Sequence, residues 1–359
     1  MLFRSRLHPY ALVGCISPWN FPLTLALIDA IPALAAGCAV IVKPSEVTPR
    51  FIRPLLAAVA EVPEVAGGLL IIEGEGATGA ELIGLVDYVC FTGSVVTGRK
   101  VGEAAARAFI PASLELGGKD PLIVLEGSDP AQAAATALRA SVVNSGQACQ
   151  SIERILVAEA IAEPFLAVLA EAARTVRLNH PDIGSGDIGP FIFARQAEIA
   201  QRHIDAAVAA GARVLVGGRV EELGGGLYLR PTVLADVTEE MTVWAEESFA
   251  PILPVMSFAD ETDAVRLANG GEFGLSAAVL GPQEAALRVA GQLRAGAVSV
   301  NDGALTSVVW DAEKSSFGLS GLGPSRMGAS GLTRFLRRQA LLIQSGRALP
   351  LAAYSEDPS

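Results

Sequence analysis

Three side chains in this sequence are of types that could act together on an electrophilic carbon. Cys149 follows a polar, glycine-containing segment, residues 144–148, where its thiol would be accessible as a nucleophile. Glu115 is flanked by two leucines and followed by two glycines. Apolar neighbours raise the pKa of a carboxyl group towards a value suited to a general base. Asn20 lies between two prolines, and its amide could donate to a developing oxyanion. Taken singly, each has a plainer explanation: a packed cysteine, a strand-end acid facing solvent and a turn asparagine.

Three further segments could hold a nucleotide. Lys43 and Glu46 follow an apolar, strand-like run, where both could hydrogen-bond ribose hydroxyls. Residues 74–79 (GEGATG) and 91–98 (FTGSVVTG) are glycine-containing turns after apolar runs, and such glycines let a backbone approach a phosphate at a helix N-terminus. Neither turn is the GxGxxG fingerprint, and Lys43 and Glu46 could equally be a solvated pair of charges. These segments carry weight only in combination.

Short apolar runs alternate with alanine-rich stretches, a pattern typical of parallel sheets covered by helices. It predicts an α/β protein with a doubly wound first domain (1–116), a second α/β domain (117–312) and a C-terminal segment (313–359). Residues 301–330 are predicted to be a long ordered loop. The predicted elements are strands at 11–16, 39–43, 69–73, 88–92, 112–116, 121–125, 154–157 and 341–344, and helices near 130–146 and 331–338.

Composition excludes several classes of function. A formal net charge of −11 on 359 residues argues against a nucleic-acid or anionic-membrane partner and favours small-molecule chemistry. The four cysteines have no CxxC spacing and the three histidines do not cluster, which predicts neither a disulfide framework nor a metal site. Scattered thiols indicate a reducing, cytoplasmic location. Two arginines before an apolar stretch resemble the start of a lipoprotein signal peptide. Prolines and polar residues interrupt this stretch, however, which argues against export.

Six segments, taken in order, resemble the aldehyde dehydrogenase superfamily, and the similarity runs over nearly the whole chain. The resemblance implies a Rossmann-type cofactor domain, an α/β catalytic domain and a C-terminal oligomerisation segment. It also implies a homodimer or homotetramer acting on a small-molecule aldehyde. The six segments are PWNFP (18–22), KPSE (43–46), FTGS (91–94), LELGGK (114–119), GQAC (146–149) and EESFAP (246–251).

Carried over by position, the resemblance assigns the chemistry to the three candidates. Cys149 would be the nucleophile, Glu115 the base that activates the hydrolytic water, and Asn20 with the Cys149 backbone N–H the oxyanion hole. The aldehyde would become an acid through a thiohemiacetal and a thioester. NAD is expected over NADP, because Glu46 would repel a 2′-phosphate. The residues implied in cofactor binding are Ser17, Trp19, Lys43, Ser45, Glu46, Gly76, Gly79, Phe91, Gly93, Ser94, Gly98, Leu116, Glu247 and Phe249.

The chain departs from the family pattern in two places. Where the family loop reads PFGG, this chain has SFGL at 316–319 and continues as GPSR at 323–326, which weakens inference about the substrate entrance. Only 17 residues precede Pro18, where family members carry further elements of the cofactor domain. We therefore expect an N-terminally truncated chain with an incomplete cofactor domain, uncovered apolar faces and a tendency to self-associate.

The leading hypothesis is oxidation of a fairly apolar aldehyde. Phe21, Leu25, Ile28 and Val143, near the catalytic candidates by family position, carry no charge, and the sequence offers no cationic partner there for a charged semialdehyde. One alternative is a folded, catalytically weak or inactive relative with a binding or structural role. Another is a cysteine hydrolase, although no histidine lies near Cys149 in sequence.

Overall fold

The structure is a computed structural model that describes residues 2–354, so Met1 and residues 355–359 of the predicted first and third segments lie outside it. Its two large sheets have six and seven strands, and helices pack against both. This confirms the predicted α/β class. No helix among the described residues is long and apolar enough to cross a membrane.

The first part of the chain supplies one strand of mixed polarity and then an alternation of strands and helices. Most strands after the first are mainly apolar, as expected where both faces of a sheet are covered. The elements are β1 (Leu2–Pro9), β2 (Leu12–Ile16), α1 (Pro22–Leu27), α2 (Ala30–Ala35), β3 (Ala39–Lys43), α3 (Ile52–Ala60), α4 (Pro63–Ala66), β4 (Leu69–Ile71), α5 (Gly76–Ile83), β5 (Tyr88–Thr92), α6 (Val95–Ala108) and β6 (Ala112–Glu115).

The second part repeats the alternation and ends in short strands and a long C-terminal strand. Short 3-10 turns lie at Pro49–Phe51, Val143–Gly146, Glu159–Ile161, Leu305–Ser307 and Leu351–Tyr354. The elements are β7 (Asp120–Val124), α7 (Pro130–Val142), β8 (Ile152–Ala158), α8 (Ala162–Thr175), α9 (Ala194–Ala209), β9 (Arg213–Val216), β10 (Val220–Leu223), β11 (Gly226–Leu229), β12 (Thr232–Ala235), α10 (Thr242–Ala245), β13 (Ile252–Phe258), α11 (Glu261–Asn269), β14 (Phe273–Gly274), β15 (Ser276–Leu280), α12 (Gln283–Ala290), β16 (Ala297–Val300), β17 (Phe317–Gly318), β18 (Gly321–Leu322), α13 (Gly328–Thr333) and β19 (Leu336–Ile343).

The six-stranded sheet has the order β18-β6-β5-β2-β3-β4, parallel except for β18. Val13 and Cys15 pack under α1, α2 and α3, whereas Val89 and Phe91 pack with α5 and α6. Helices therefore cover both faces at β2 and β5, and the predicted uncovered apolar face is not found at these strands. Because the strands are parallel, the segments that follow β2, β3, β4, β5 and β6 meet at one edge.

The seven-stranded sheet has the order β16-β15-β7-β8-β13-β12-β9, parallel except for β9. Helices α7 and α8 cover one face, and α9, α11 and α12 the other. Residues 116–119 link β6 of the first sheet to β7 of the second. The carboxyl edge of the first sheet therefore adjoins the second sheet, and the division into segments 1–116, 117–312 and 313–359 remains our proposal.

The C-terminal elements differ from the prediction. The predicted helix at 331–338 is wrong, because α13 ends at Thr333 and β19 already begins at Leu336. The strand extends because it pairs along its whole length with β1, in an antiparallel ladder running from Leu2 opposite Ile343 to Pro9 opposite Leu336. A partner more than 300 residues away in sequence overrides the local helical pattern. Residues 301–330 contain two short strands and the start of α13 within the predicted loop.

Candidate active site

The two glycines that follow β6 lie directly against Cys149 and Glu247. A Cβ atom at Gly118 would lie 2.7 Å from the backbone oxygen of Cys149, and one at Gly117 would lie 2.5 Å from a carboxylate oxygen of Glu247. The backbone approach at Gly118 requires a glycine, whereas a Cβ at Gly117 would displace the Glu247 carboxylate. Glu115, at the end of β6, is thereby brought near Cys149 and Glu247.

The loop before Cys149 is wound in the left-handed region. Asn144, Ser145 and Gly146 have φ values of 53°, 57° and 72°. A Cβ at Gly146 would overlap the backbone of Ala250. Ser145 Oγ donates to the Gly189 carbonyl at 2.9 Å and accepts the Gly189 N–H at 3.0 Å, so the loop is fixed to a neighbouring segment. The thiol is thus carried on a strained, well-anchored turn.

Asn20 is fastened to the same loop. Its Nδ2 donates to the Gln147 carbonyl at 3.1 Å, and Asn144 Nδ2 donates to the carbonyls of both Asn20 and Gln147 at 3.1 Å. Asn20 is therefore joined by hydrogen bonds to the loop that leads to Cys149, although the two are far apart in sequence. The second N–H of the Asn20 amide remains available for another acceptor.

Burial and acidic neighbours keep the Cys149 thiol protonated. Burial, together with Asp120, Glu247 and Glu115, raises the pKa of Cys149 to about 12, and Arg326 acts in the opposite direction. Burial also raises the pKa of Glu247 to about 8, although the Gly118 N–H, donated to it at 3.0 Å, lowers it. At neutral pH the sulfur is therefore a thiol that must lose its proton during any addition.

The EESF segment is held by a buried carboxylate on β8. Glu153 accepts hydrogen bonds from Lys119 Nζ at 2.6 Å, Ser248 N–H at 2.7 Å and Phe249 N–H at 2.8 Å. Phe249 has a φ of 51°, and its ring meets the Trp19 ring edge-on at 5.5 Å. Trp19 and Phe249 are thus in contact, and Glu247, which belongs to this segment, lies close enough to Cys149 to raise the pKa of its thiol; their roles in cofactor binding remain predictions.

A second group of predicted residues gathers at the ends of β2 and β3. Lys43 is buried, and its Nζ lies 2.9 Å from Glu46 Oε2. Although burial acts against it, the Glu46 backbone N–H and Lys43 hold the pKa of Glu46 below its usual value. Ser17 donates its N–H to the Lys43 carbonyl at 3.1 Å, while its buried Oγ has no hydrogen-bond partner among the described residues. Ser45 Oγ accepts the Val47 N–H at 3.2 Å.

The glycine-containing turns lie along the same edge. Ser94 caps α6 by accepting the Thr97 N–H at 3.3 Å, and Gly93 precedes it without room for a Cβ against Phe91. Gly98 packs directly on Leu116, where a Cβ would overlap the leucine side chain. Two further sequence candidates belong to α5: Gly76 begins this helix, with open space at its Cβ position, and Gly79 faces Ile16 and Lys43.

These groups together fit a dinucleotide. The orphaned Ser17 hydroxyl and the paired Lys43 and Glu46 offer polar atoms for a ribose, and the N-termini of α5 and α6 open at the same edge. Among the described residues, no group of three or more His, Cys, Asp or Glu side chains is placed to hold a metal ion.

The sequence prediction that no cationic group lies near the catalytic candidates is wrong. Arg326 Nε is 3.9 Å from Glu115 Oε1. Burial lowers the pKa of Lys314, an effect that nearby Glu115, Cys149 and Asp120 oppose, so Lys314 also lies close to the site. Both residues belong to the 301–330 segment, far from Cys149 in sequence, and no local pattern could have linked them.

Comparison with known proteins gives consistent matches. Residues 2–341 match the profile described as "Aldehyde dehydrogenase family". "Putative succinate-semialdehyde dehydrogenase (NADP+) 2" of Mycobacterium tuberculosis is 39% identical over 343 residues, covering 93% of this chain and 65% of that protein. The 4,4'-diapolycopene aldehyde oxidase of Methylomonas is 42% identical over 301 residues, covering 83% of this chain and 56% of that protein.

A solved structure gives the same result. The structure described as "Putative Aldehyde Dehydrogenase" from Anabaena variabilis superposes with a TM-score of 0.95 at 55% identity, covering 99% of this chain and 76% of that one. This chain spans 65% of the length of the mycobacterial relative. The matches cover nearly the whole of this chain and agree with the six ordered motifs, so the chain belongs to the aldehyde dehydrogenase family.

Proposed function

We propose that this chain oxidises aldehydes to carboxylic acids through covalent catalysis by Cys149. The observation that carries the proposal is the hydrogen-bonded cluster that joins Asn20 to the loop of Cys149, with Glu115 at the end of the adjoining strand. A nucleophile, an amide donor and a carboxylate thus converge where two sheets meet, the arrangement that acyl chemistry needs.

The order of events follows from the chemistry of these groups. As Cys149 Sγ bonds to the aldehyde carbon, its proton passes to a nearby carboxylate or water, because the raised pKa leaves the sulfur protonated beforehand. The oxyanion accepts hydrogen bonds from the free Asn20 N–H and the Cys149 backbone N–H. A nicotinamide dinucleotide, when bound, would accept hydride from the same carbon. In the thioester that remains, water bonds to the carbon, Glu115 takes its proton and the C–S bond breaks.

The bound dinucleotide would be held by the residues that fit it. Lys43 and Glu46 would bind the adenosine ribose, with Ser17, Ser45, Gly76 and Gly79 beside them. Phe91, Gly93, Ser94 and Gly98 would adjoin the pyrophosphate, and Leu116 would support this turn from below. Trp19, Glu247 and Phe249 would enclose the nicotinamide end.

We propose an apolar aldehyde as substrate. Val143, 48% exposed, begins the turn that leads to Cys149, and Leu305, 39% exposed, precedes Thr306, which donates to Gln150 Oε1 at 3.2 Å; exposed apolar side chains therefore lie on segments beside the thiol. Lys314 and Arg326 favour a second candidate, an aldehyde with a carboxylate, and a relative is named for succinate semialdehyde. In the structure, however, Lys314 Nζ is bound to the Thr306 carbonyl at 2.8 Å and Arg326 to Asp29 at 3.0 Å.

Replacement of the candidate nucleophile tests the proposal. Cys149→Ala should reduce NADH formation from octanal by roughly a thousandfold or more, because the covalent step is lost, while NAD binding by calorimetry stays unchanged. Cys38→Ala, which removes a buried thiol away from the site, is the matched control. Succinic semialdehyde, assayed in parallel, decides between the two substrate classes. NAD binding without NADH formation in the unsubstituted chain would instead support a binding or structural role.

We propose NAD as the preferred cofactor, with NADP less favoured. Glu46 stays ionised beside Lys43, and a carboxylate at the ribose binds free hydroxyls and repels a 2′-phosphate. We expect kcat/KM for NAD to exceed that for NADP by about tenfold or more, and Glu46→Gln to narrow the ratio. The mycobacterial relative is named for NADP, so a ratio favouring NADP is the outcome that would refute this preference.

We also propose a homodimer or homotetramer and a cytoplasmic location. The β1–β19 ribbon is the segment that would contact another subunit, and its face with Phe3 and Leu342 is largely exposed. All four cysteines are free thiols, which supports a reducing compartment.

A further inference from the structure

Arg326 is a buried cation that has no role in the proposed reaction steps. Its NH2 donates to Asp29 Oδ2 at 3.0 Å and to Thr92 Oγ1 at 2.7 Å. Its side chain is 8% exposed, and its Nε has no hydrogen-bond partner among the described residues. A buried N–H donor without an acceptor costs free energy. We therefore expect Arg326 Nε to find an acceptor in another side-chain arrangement of the site.

The candidate base offers an acceptor that could satisfy this donor. Glu115 Oε1 lies 3.9 Å from Arg326 Nε, beyond hydrogen-bond distance but within reach of a small side-chain rotation. The Glu115 backbone is fixed on both sides, since Glu115 pairs with Thr92 of β5 and with Gly321 of β18. Its carboxylate, in contrast, makes no hydrogen bond to any residue from 2 to 354, so its orientation depends on charges nearby.

We propose that Arg326 is a positioning residue for Glu115: it draws the carboxylate into the orientation from which it activates the water that hydrolyses the Cys149 thioester. This inference rests on the proposed function. Hydrogen bonds to Asp29 and Thr92 hold the guanidinium in place, so the direction of its Nε–H is fixed. Arg326 also partly offsets the carboxylates that raise the pKa of Cys149, which places its charge close to the sulfur.

Arg334 provides a matched control. It too is buried, and its NH2 donates to the other oxygen of Asp29. No ion pair joins it to Glu115 among the described residues, and it is not among the groups that shift the pKa of Cys149. A purely structural role for the buried cations would make the two arginines equivalent, whereas a positioning role separates them.

The test measures deacylation directly and needs no cofactor. The full chain is acylated with 4-nitrophenyl acetate, and the loss of the Cys149 acetyl group is followed by intact-mass spectrometry, with melting temperature recorded for each variant. We expect Arg326→Gln to slow deacylation by about tenfold or more and acylation by a smaller factor, because the loss of this charge also leaves the Cys149 thiol harder to deprotonate. Arg326→Lys should slow it by roughly threefold, because one ammonium group cannot serve Asp29, Thr92 and Glu115 together. Arg334→Gln should deacylate at the wild-type rate.

A double-mutant cycle separates this inference from the proposed function. In a Glu115→Gln background, Arg326→Gln should add less than about a twofold effect, because the group that it positions is already lost. Failure of wild-type Cys149 to become acylated, or a wild-type rate in Glu115→Gln, would overturn the proposed function and this inference with it. Wild-type deacylation in Arg326→Lys and Arg326→Gln, with Glu115→Gln slow, would overturn the Arg326 role alone. So would equal slowing by Arg334→Gln.

Discussion

At the scale of single residues, acidic side chains outnumber cationic ones around the Cys149 thiol. Asp120, Glu247 and Glu115 surround Cys149, and with burial they raise the pKa of its thiol to about 12. Arg326 opposes them, and the half-buried Lys314 lies near the same carboxylates. The sulfur is therefore protonated at rest, and its addition to a carbonyl carbon requires a proton acceptor nearby.

Glu115→Gln should separate the two half-reactions. Because hydride transfer precedes hydrolysis, the first turnover should be largely preserved, while steady-state turnover falls by about a hundredfold. Rapid mixing of the variant with aldehyde and NAD should show a burst of NADH close to one equivalent of sites. Equal losses in burst and steady state would place Glu115 earlier, in deprotonation of Cys149.

At the scale of elements, the reactive residue depends on backbone that only glycine can adopt. Gly146 combines a φ of 72° with a contact so close that a Cβ would overlap Ala250. This turn also carries Asn144, whose amide binds the carbonyls of Asn20 and Gln147. Displacement of the turn would therefore disturb the thiol and the candidate oxyanion donor together.

Gly146→Ala should destabilise the protein and abolish the candidate activity. We expect a loss of roughly 3 kcal/mol or more, seen as a fall in melting temperature of about 4 °C or more, because strain and overlap add. Gly211→Ala is the control, since Gly211 has a φ of 105° but open space at its Cβ position. It should show the smaller cost of φ strain alone, and similar melting temperatures for the two variants would contradict the argument.

At the scale of the whole molecule, the β1–β19 ribbon stands apart from both large sheets. Phe3 and Leu342 lie opposite each other in its register, so they share one face, and they are 72% and 73% exposed. Leu7, which lies on the same face, is 55% exposed. A two-stranded ribbon with an apolar face is marginal by itself, which favours coverage by another copy of the chain.

Charges on this face should disrupt self-association. We expect the unsubstituted chain to sediment as a dimer or tetramer and Phe3→Glu with Leu342→Glu to shift it towards monomer, because two buried carboxylates would be costly at a contact. Gln339→Glu, on the opposite face, should leave the assembly unchanged. Light scattering coupled to size exclusion measures all three, and a monomeric unsubstituted chain would rule out the proposed interface.

The sequence by itself determined the family, the α/β class and the main strands of both sheets. Continuous apolar runs such as those of β3 and β5 predict buried parallel strands, and the structure places strands at Ala39–Lys43 and Tyr88–Thr92. The family assignment is confirmed by the profile that matches residues 2–341. Cys149, Glu115 and Asn20 could be singled out because each lies in a short motif, and the structure brings them together, although their roles remain predictions.

Tertiary structure alone decided the rest, because the contacts concerned join segments that are remote in sequence. The helix predicted at 331–338 gives way to β19, which pairs with β1 at the other end of the chain. Arg326 reaches Asp29, Thr92 and Glu115 from a loop whose local pattern carries no periodic signal. Local patterns encode burial and backbone preference, whereas the charge environment of the thiol is set by side chains that meet only after two sheets have packed together.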